Sequence, residues 1–272
     1  MLPCARLQRP PFPVVAVRFP VGALRRAVRT ETFSGGKNLY GIPLGILMLE
    51  SSFPRIAGDV GNASTWPFPV LYRVVPGASP ARVVRSLEDG SLLEPFTDAA
   101  RELERMGVSL VTTNCGFLVL YQRQIQERLG VPFLSSSLLQ IPWLQAHLPA
   151  GKKVGVLTVE RSSLTVRHLA SAGLPEDLPM VGMEEVGGYF REVIVGNGDE
   201  LDVSRARDEH LVAAELLLGR NPDVGAIVLE CTNMPPYAAA IRDATGLPVH
   251  DLTTLVGWFV EGHRRRRFEG WM

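Results

Sequence analysis

Two cysteines, Cys115 and Cys231, are the residues of this 272-residue chain whose types and spacing point to chemistry. Each follows a short β-rich run opened by glycine, Gly107-Val-Ser-Leu-Val and Gly225-Ala-Ile-Val-Leu, and each leads into a helix-like stretch. The cysteines are 116 residues apart, and the same offset separates Gly130-Val131-Pro132 from Gly246-Leu247-Pro248. Upstream, Gly45-Ile-Leu-Met-Leu-Glu50 resembles Gly155-Val-Leu-Thr-Val-Glu160 at an offset of 110. Three matches in one order indicate an internal duplication. A thiol at a strand end that turns into a helix feels backbone N–H groups and the positive end of the helix dipole, so a lowered pKa and a usable thiolate are expected. Cysteine is also a common inert core residue, but inert filling gives no reason to recur at equivalent places in two diverged halves.

Polar residues flank both thiols. Thr113, Asn114 and Gly116 surround the first, and Thr232 and Asn233 follow the second. Hydroxyls and amides beside free backbone N–H groups suit a carboxylate-bearing ligand, and the same residue types also serve as helix caps. Glu50 and Ser51 follow the first strand and should face the same crevice. Arg55, in the long turn-rich loop from Phe53 to Tyr72, is the best candidate for a salt bridge to a substrate carboxylate. No C-x-x-C or H-E-x-x-H spacing is present and the five histidines are scattered, so no metal is expected. With three lysines and no G-x-G-x-x-G loop after a strand, no cofactor is expected either.

To position such residues, apolar runs must alternate with helices in βαβ order, which makes parallel sheets buried on both faces. The fold class is therefore α/β: two pseudo-symmetric open parallel-sheet sandwiches with the active site in the cleft between them, at the carboxyl ends of the strands. Strands are predicted near 43–49, 69–75, 109–113, 131–134, 153–159, 180–186, 225–230 and 248–250. Helices are predicted near 94–106, 117–129, 137–148, 162–172, 204–219, 234–244 and 252–266. Residues 38–148 form the first half, 149–251 the second, and 252–272 a C-terminal helix that packs back on the first half. The Arg- and Pro-rich stretch 1–37, which holds Cys4, reads as a poorly ordered extension or the product of an upstream start codon.

Composition narrows the partners. With 28 basic against 28 acidic residues there is no electrostatic footprint for nucleic acid or an anionic membrane, and no apolar run approaches a membrane span. Three distant cysteines make no disulfide framework, which fits a reducing, cytoplasmic setting. The expected partner is a small carboxylic acid, with a homodimer as an open alternative to a monomer.

Thr113-Asn114-Cys115 and Leu229-Glu230-Cys231-Thr232-Asn233-Met234 resemble the two cysteine motifs of the aspartate/glutamate racemase superfamily, over about residues 38–272. The resemblance implies cofactor-independent proton exchange at the Cα of a bound acid, with Cys115 and Cys231 as acid and base on opposite faces. It makes a racemase of amino acids or related acids the first expectation. A cysteine-nucleophile isomerase of the maleate isomerase type, a hydantoin racemase and a non-catalytic binding protein are the alternatives. Gly116-Phe117 stands where amino-acid racemases carry Asn-Thr or Asn-Ser, and Asn233 where they carry an acid or histidine. Together with the aromatic residues nearby, these departures point away from aspartate or glutamate as substrate.

Overall fold

The computed structural model describes residues 35–36, 39–265 and 268. Nearly all of the Arg-rich stretch, including Cys4, and the last residue of the expected C-terminal helix lie outside them. Lys37–Met272 forms one compact unit, and the other, Met1–Gly36, falls almost wholly outside the described residues.

The first half runs β1 (Leu44–Met48), β2 (Val70–Val74), α1 (Pro80–Ser86), α2 (Leu93–Met106), β3 (Leu110–Thr113), α3 (Gln122–Gln126), β4 (Phe133–Leu134) and α4 (Ile141–His147). The second runs β5 (Lys153–Thr158), α5 (Val166–Ser171), β6 (Met180–Gly182), α6 (Tyr189–Val195), α7 (Val203–Arg220), β7 (Val224–Leu229), α8 (Ala238–Thr245) and β8 (Val249–His250), followed by α9 (Leu252–His263). Each half builds one four-stranded parallel sheet, in the orders β2-β1-β3-β4 and β6-β5-β7-β8. The α/β class and the paired parallel sheets read from the sequence are those observed, and the identical strand order expresses the duplication.

The central strands carry no polar alternation because helices cover both faces: every residue of β1 and β3 is buried. Two matched glycines let those helices sit close. A Cβ on Gly45 would press on the Leu103 side chain of α2 at 3.0–3.3 Å, and one on Gly155 would meet Leu217 of α7 at 2.8 Å. Helix α2 buries Phe96, Ala99, Ala100 and Leu103 on one stripe and stops at Gly107, whose φ of 103° is open to glycine. Helix α7 starts at Asp202, whose carboxylate accepts the N–H groups of Ser204 and Arg205 at 3.0 Å. Helix α9 lays Leu252, Leu255, Val256 and Val260 against Leu44, Ile46, Leu110 and Leu134 of the first half. Among the described residues no helix is long and apolar enough to cross a membrane.

Several elements differ from expectation. Helices α1 and α6 have no counterpart among the predicted helices. Each has seven residues, too few for a 3.6-residue period to show, and α6 follows Gly187-Gly188, both at positive φ and legible only as a loop. The strand expected to 186 ends at Gly182, whose N–H is taken by the Glu185 carboxylate at 2.9 Å as the chain turns. The helix expected over 117–129 begins as a tighter turn, Gly116–Tyr121, with α-helix only from Gln122. Those expected at 137 and 234 open in the same way.

Phe96 has no exposed surface and anchors α2 on the first sheet. Replacing Phe96 with Ala should lower the unfolding free energy by about 3–5 kcal/mol in chemical denaturation. A loss below about 1 kcal/mol would mean that α2 does not depend on this contact.

Candidate active site

The carboxyl ends of β3 and β7 bring both cysteines to one cavity. Cys115 and Cys231 line it together with Asn114, Gly116, Glu230 and Asn233. Apolar side chains close the remainder: Leu49 and Phe53 after β1, Pro80 and Val84 of α1, Phe117, Val159 after β5, and Ile194 of α6. The free volume is only about 20 Å³, which is room for little more than a water molecule. The cavity as it stands is too small for a substrate, and α1 and α6 form its roof. Glu160 clamps that roof from beneath, lying 2.6 Å from Arg191 of α6 and 3.5 Å from Arg85 of α1. Asn197 just beyond α6, at φ 59°, accepts the Ser52 N–H of the first half at 2.7 Å.

The turns that carry the thiols are joined across the halves, because the Thr232 hydroxyl donates to the Asn114 carbonyl. Thr113 holds its own turn by accepting the Cys115 N–H at 3.2 Å. Asn114 accepts the Leu49 N–H through Oδ1 at 2.7 Å, which fixes the amide and leaves its Nδ2 buried without a partner. Cys231 Sγ donates to Asn233 Oδ1 at 3.4 Å, and Asn233 Nδ2 donates to Asp59 Oδ2 at 2.6 Å. The thiol is thus linked to a carboxylate through an amide.

Other expected site residues are placed differently. Arg55 is engaged: it pairs with Asp59 at 2.9 Å, donates to Ser51 Oγ at 2.8 Å and stacks over Phe53 at 4.4 Å. Ser51 therefore supports Arg55 and does not line the cavity. Glu50 is exposed, with its carboxylate on the Gly77 N–H at 2.9 Å. Gly116 owes its place to Glu230, since a Cβ there would overlap Glu230 Oε1 and the Glu230 carbonyl oxygen.

Glu230 and Asp59 are the residues that sequence reasoning passes over. Asp59 sits in a turn-rich loop with nothing local to single it out. Glu230 is legible only as an acid closing an apolar run, Val-Leu-Glu-Cys, which is a place where a buried carboxylate needs a reason. Its side chain has no exposed surface; Oε2 accepts the Thr158 hydroxyl at 2.8 Å, and Oε1 has no partner. Burial pushes the Glu230 carboxyl up to about 7, against hydrogen bonds from Thr158 and the Val159 backbone that act the other way.

The thiols correct an expectation. Burial, followed by the charge of Glu230, pushes Cys115 up to about 12, with the Phe117 N–H and Arg55 easing it only in part. Burial and then Glu230 likewise push Cys231 well above the ordinary thiol value. The helix-end effect that argued for a lowered pKa is outweighed, and the turn after Cys115 is not an α-helix. Both sulfurs rest as thiols.

A carboxyl raised in the folded state stabilises the fold when protonated. That contribution is complete below the unfolded value of 4.5 and is lost as pH rises through about 7. Wild type should therefore lose about 3 kcal/mol between pH 4.5 and 8 relative to Glu230→Gln, as read from unfolding curves at each pH. Parallel pH profiles for the two proteins would show that the carboxyl is not perturbed.

Comparison with known proteins agrees with this geometry. The family model for Asp/Glu/hydantoin racemases matches residues 73–259. A dimethylsulfoniopropionate lyase of Durusdinium sp. clade D is 30% identical over 232 residues, which is 83% of this chain and 76% of that protein. Dimethylsulfoniopropionate lyase 7 of Emiliania huxleyi is 30% identical over 227 residues, 80% of this chain and 66% of its own length. Allantoin racemase of Pseudomonas fluorescens has the same fold, with a TM-score of 0.53 at 17% identity over 84% of this chain and 100% of that one. The motif resemblance, the duplicated sheets and the family match converge: the chain belongs to the Asp/Glu/hydantoin racemase family.

Proposed function

We propose that the chain is a lyase that removes a Cα proton from a small carboxylate and expels a sulfur leaving group from Cβ, as dimethylsulfoniopropionate chemistry requires. The observation that carries the reading is the convergence of two thiols, one from each half, on a single closed apolar cavity. The curated relatives at 30% identity, both named for dimethylsulfoniopropionate cleavage, support the choice of substrate. Proton exchange at Cα, the step expected from the sequence, is shared with a racemase. Lyase and racemase differ in the fate of the carbanion once that proton has gone.

In the lyase reaction one cysteine first gives its own proton to solvent and then, as thiolate, takes the Cα proton. The electron pair of that C–H bond forms the Cα–Cβ double bond, and the Cβ–S bond breaks with its pair passing to sulfur. Dimethyl sulfide and acrylate leave, and the proton remains on the cysteine, from which it passes to solvent. Charge that develops on the substrate carboxylate needs donors that are already oriented. Asn114 Nδ2, buried and unpartnered, is suited to that role. Asn233 and Asp59 set the direction of the Cys231 thiol. An apolar wall without bulk water favours departure of a neutral sulfide and protects the carbanion from stray protonation.

Incubation with dimethylsulfoniopropionate in D₂O should release dimethyl sulfide into the headspace and give acrylate by NMR. A protein that gives neither sulfide nor Cα deuterium excludes both the lyase and the shared first step, whereas deuterium without sulfide returns the reading to proton exchange. Of Cys115→Ser and Cys231→Ser, the one that removes the base should lose about 10³-fold or more in kcat, and the other less. Equal, complete loss in both would mean that sulfide release needs both thiols and would overturn the one-base assignment. Asn114→Asp keeps the acceptor to Leu49 but sets a negative charge against the substrate carboxylate, so KM should rise by about tenfold or more. An unchanged KM would remove Asn114 from the carboxylate site.

A further inference from the structure

We propose that Glu230 is the specificity-determining residue of the site, selecting a substrate with a positive charge near its leaving group over a molecule of the same shape that lacks that charge. This rests on the reading of the cavity as a site for Cα proton removal from an onium carboxylate. It goes beyond that reading in assigning a residue to the recognition of charge.

The argument begins with compensation. Buried carboxylates are ordinarily paired or fully hydrogen-bonded. Arg55 is spent on Asp59 and Arg191 on Glu160, so no cationic side chain among the described residues pairs with Glu230. One of its oxygens, Oε1, has no hydrogen-bond partner, although the residue lines the cavity. Gly116, also in the lining, keeps open the space that this oxygen occupies. The missing partner is therefore one that arrives with the ligand. A hydrogen-bonding cation would demand several acceptors, and beyond the two thiols and Asn114 and Asn233, whose Oδ1 atoms already accept, the wall is apolar. An alkylated onium centre, which has charge but no N–H, fits a single carboxylate among aromatic and aliphatic faces. The other buried unpartnered atom, Asn114 Nδ2, is a donor and suits the opposite end of such a molecule. A dipolar onium carboxylate satisfies both.

Among the titratable groups that line the cavity, Glu230 is the one whose carboxyl lies near neutrality. Both thiols stay protonated, Glu160 is held ionised by Arg191 and Arg85, and burial holds His168, packed on Phe117, down to about 4.

The test measures binding and not turnover. 3-(Trimethylammonio)propanoate and its isostere 4,4-dimethylpentanoate share a shape and a carboxylate and differ in one atom, a cationic nitrogen in the first and an uncharged carbon in the second. Calorimetric titration of wild type at pH 8 should favour the onium by about 30-fold or more, and Glu230→Gln should reduce that preference to within about threefold. In wild type the preference should also grow from pH 5.5 to pH 8 as Glu230 ionises, which tests the proposal without any variant. A preference retained in Glu230→Gln, a preference independent of pH, or failure of wild type to take either acid overturns it. Charge selection that depends on Glu230 in a protein releasing no dimethyl sulfide upholds the assignment while removing the lyase reading.

Discussion

A single side-chain contact, the Thr232 hydroxyl on the Asn114 carbonyl, ties the turn that bears one thiol to the turn that bears the other. Neighbouring bonds reinforce it: Ser137 Oγ donates to the Leu229 carbonyl at 2.7 Å, and the Val60 N–H to the Thr232 carbonyl at 3.2 Å. Because the strand ends are held this closely, Gly116 of one half is pressed against Glu230 of the other, where no side chain would fit. Neither half makes a cavity alone. Each supplies one sulfur, one roof helix and part of the apolar wall, so the duplication is a functional requirement as well as an ancestry.

The fold was largely legible because central strands covered on both faces read as plain apolar runs, and because the glycines that admit α2 and α7 recur in the same order as the cysteines, at an offset of 110 against 116. The roof was not. Helices α1 and α6 are short and carry too few turns for a periodic signal, yet they supply Pro80, Val84 and Ile194 to the cavity. The thiols themselves were legible, but their state was not. A helix terminus shifts a charged group by roughly 1 kcal/mol, under one pKa unit, whereas full burial moves a pKa by several units. Burial depends on residues far away in the chain, and so a local argument reached the wrong sign.

The charged residues teach the same lesson. Arg55 lies near the predicted crevice, but the i+4 acid Asp59 claims its guanidinium. Asp59 in turn is joined to Cys231 by hydrogen bonds through the Asn233 amide. Asn233, directly after the second motif's threonine, thus brings a carboxylate from a distant loop into line with the thiol, a link that no inspection of the motif alone would reveal.

The protonated resting state of the sulfurs bears on durability. Peroxide and disulfide exchange act on thiolates, not on thiols. Burial and the Glu230 charge, which raise Cys115, keep its thiolate scarce at neutral pH. Two cysteines facing one small space would otherwise be prone to oxidative coupling. Keeping both uncharged slows that coupling, because the attacking species is the scarce one.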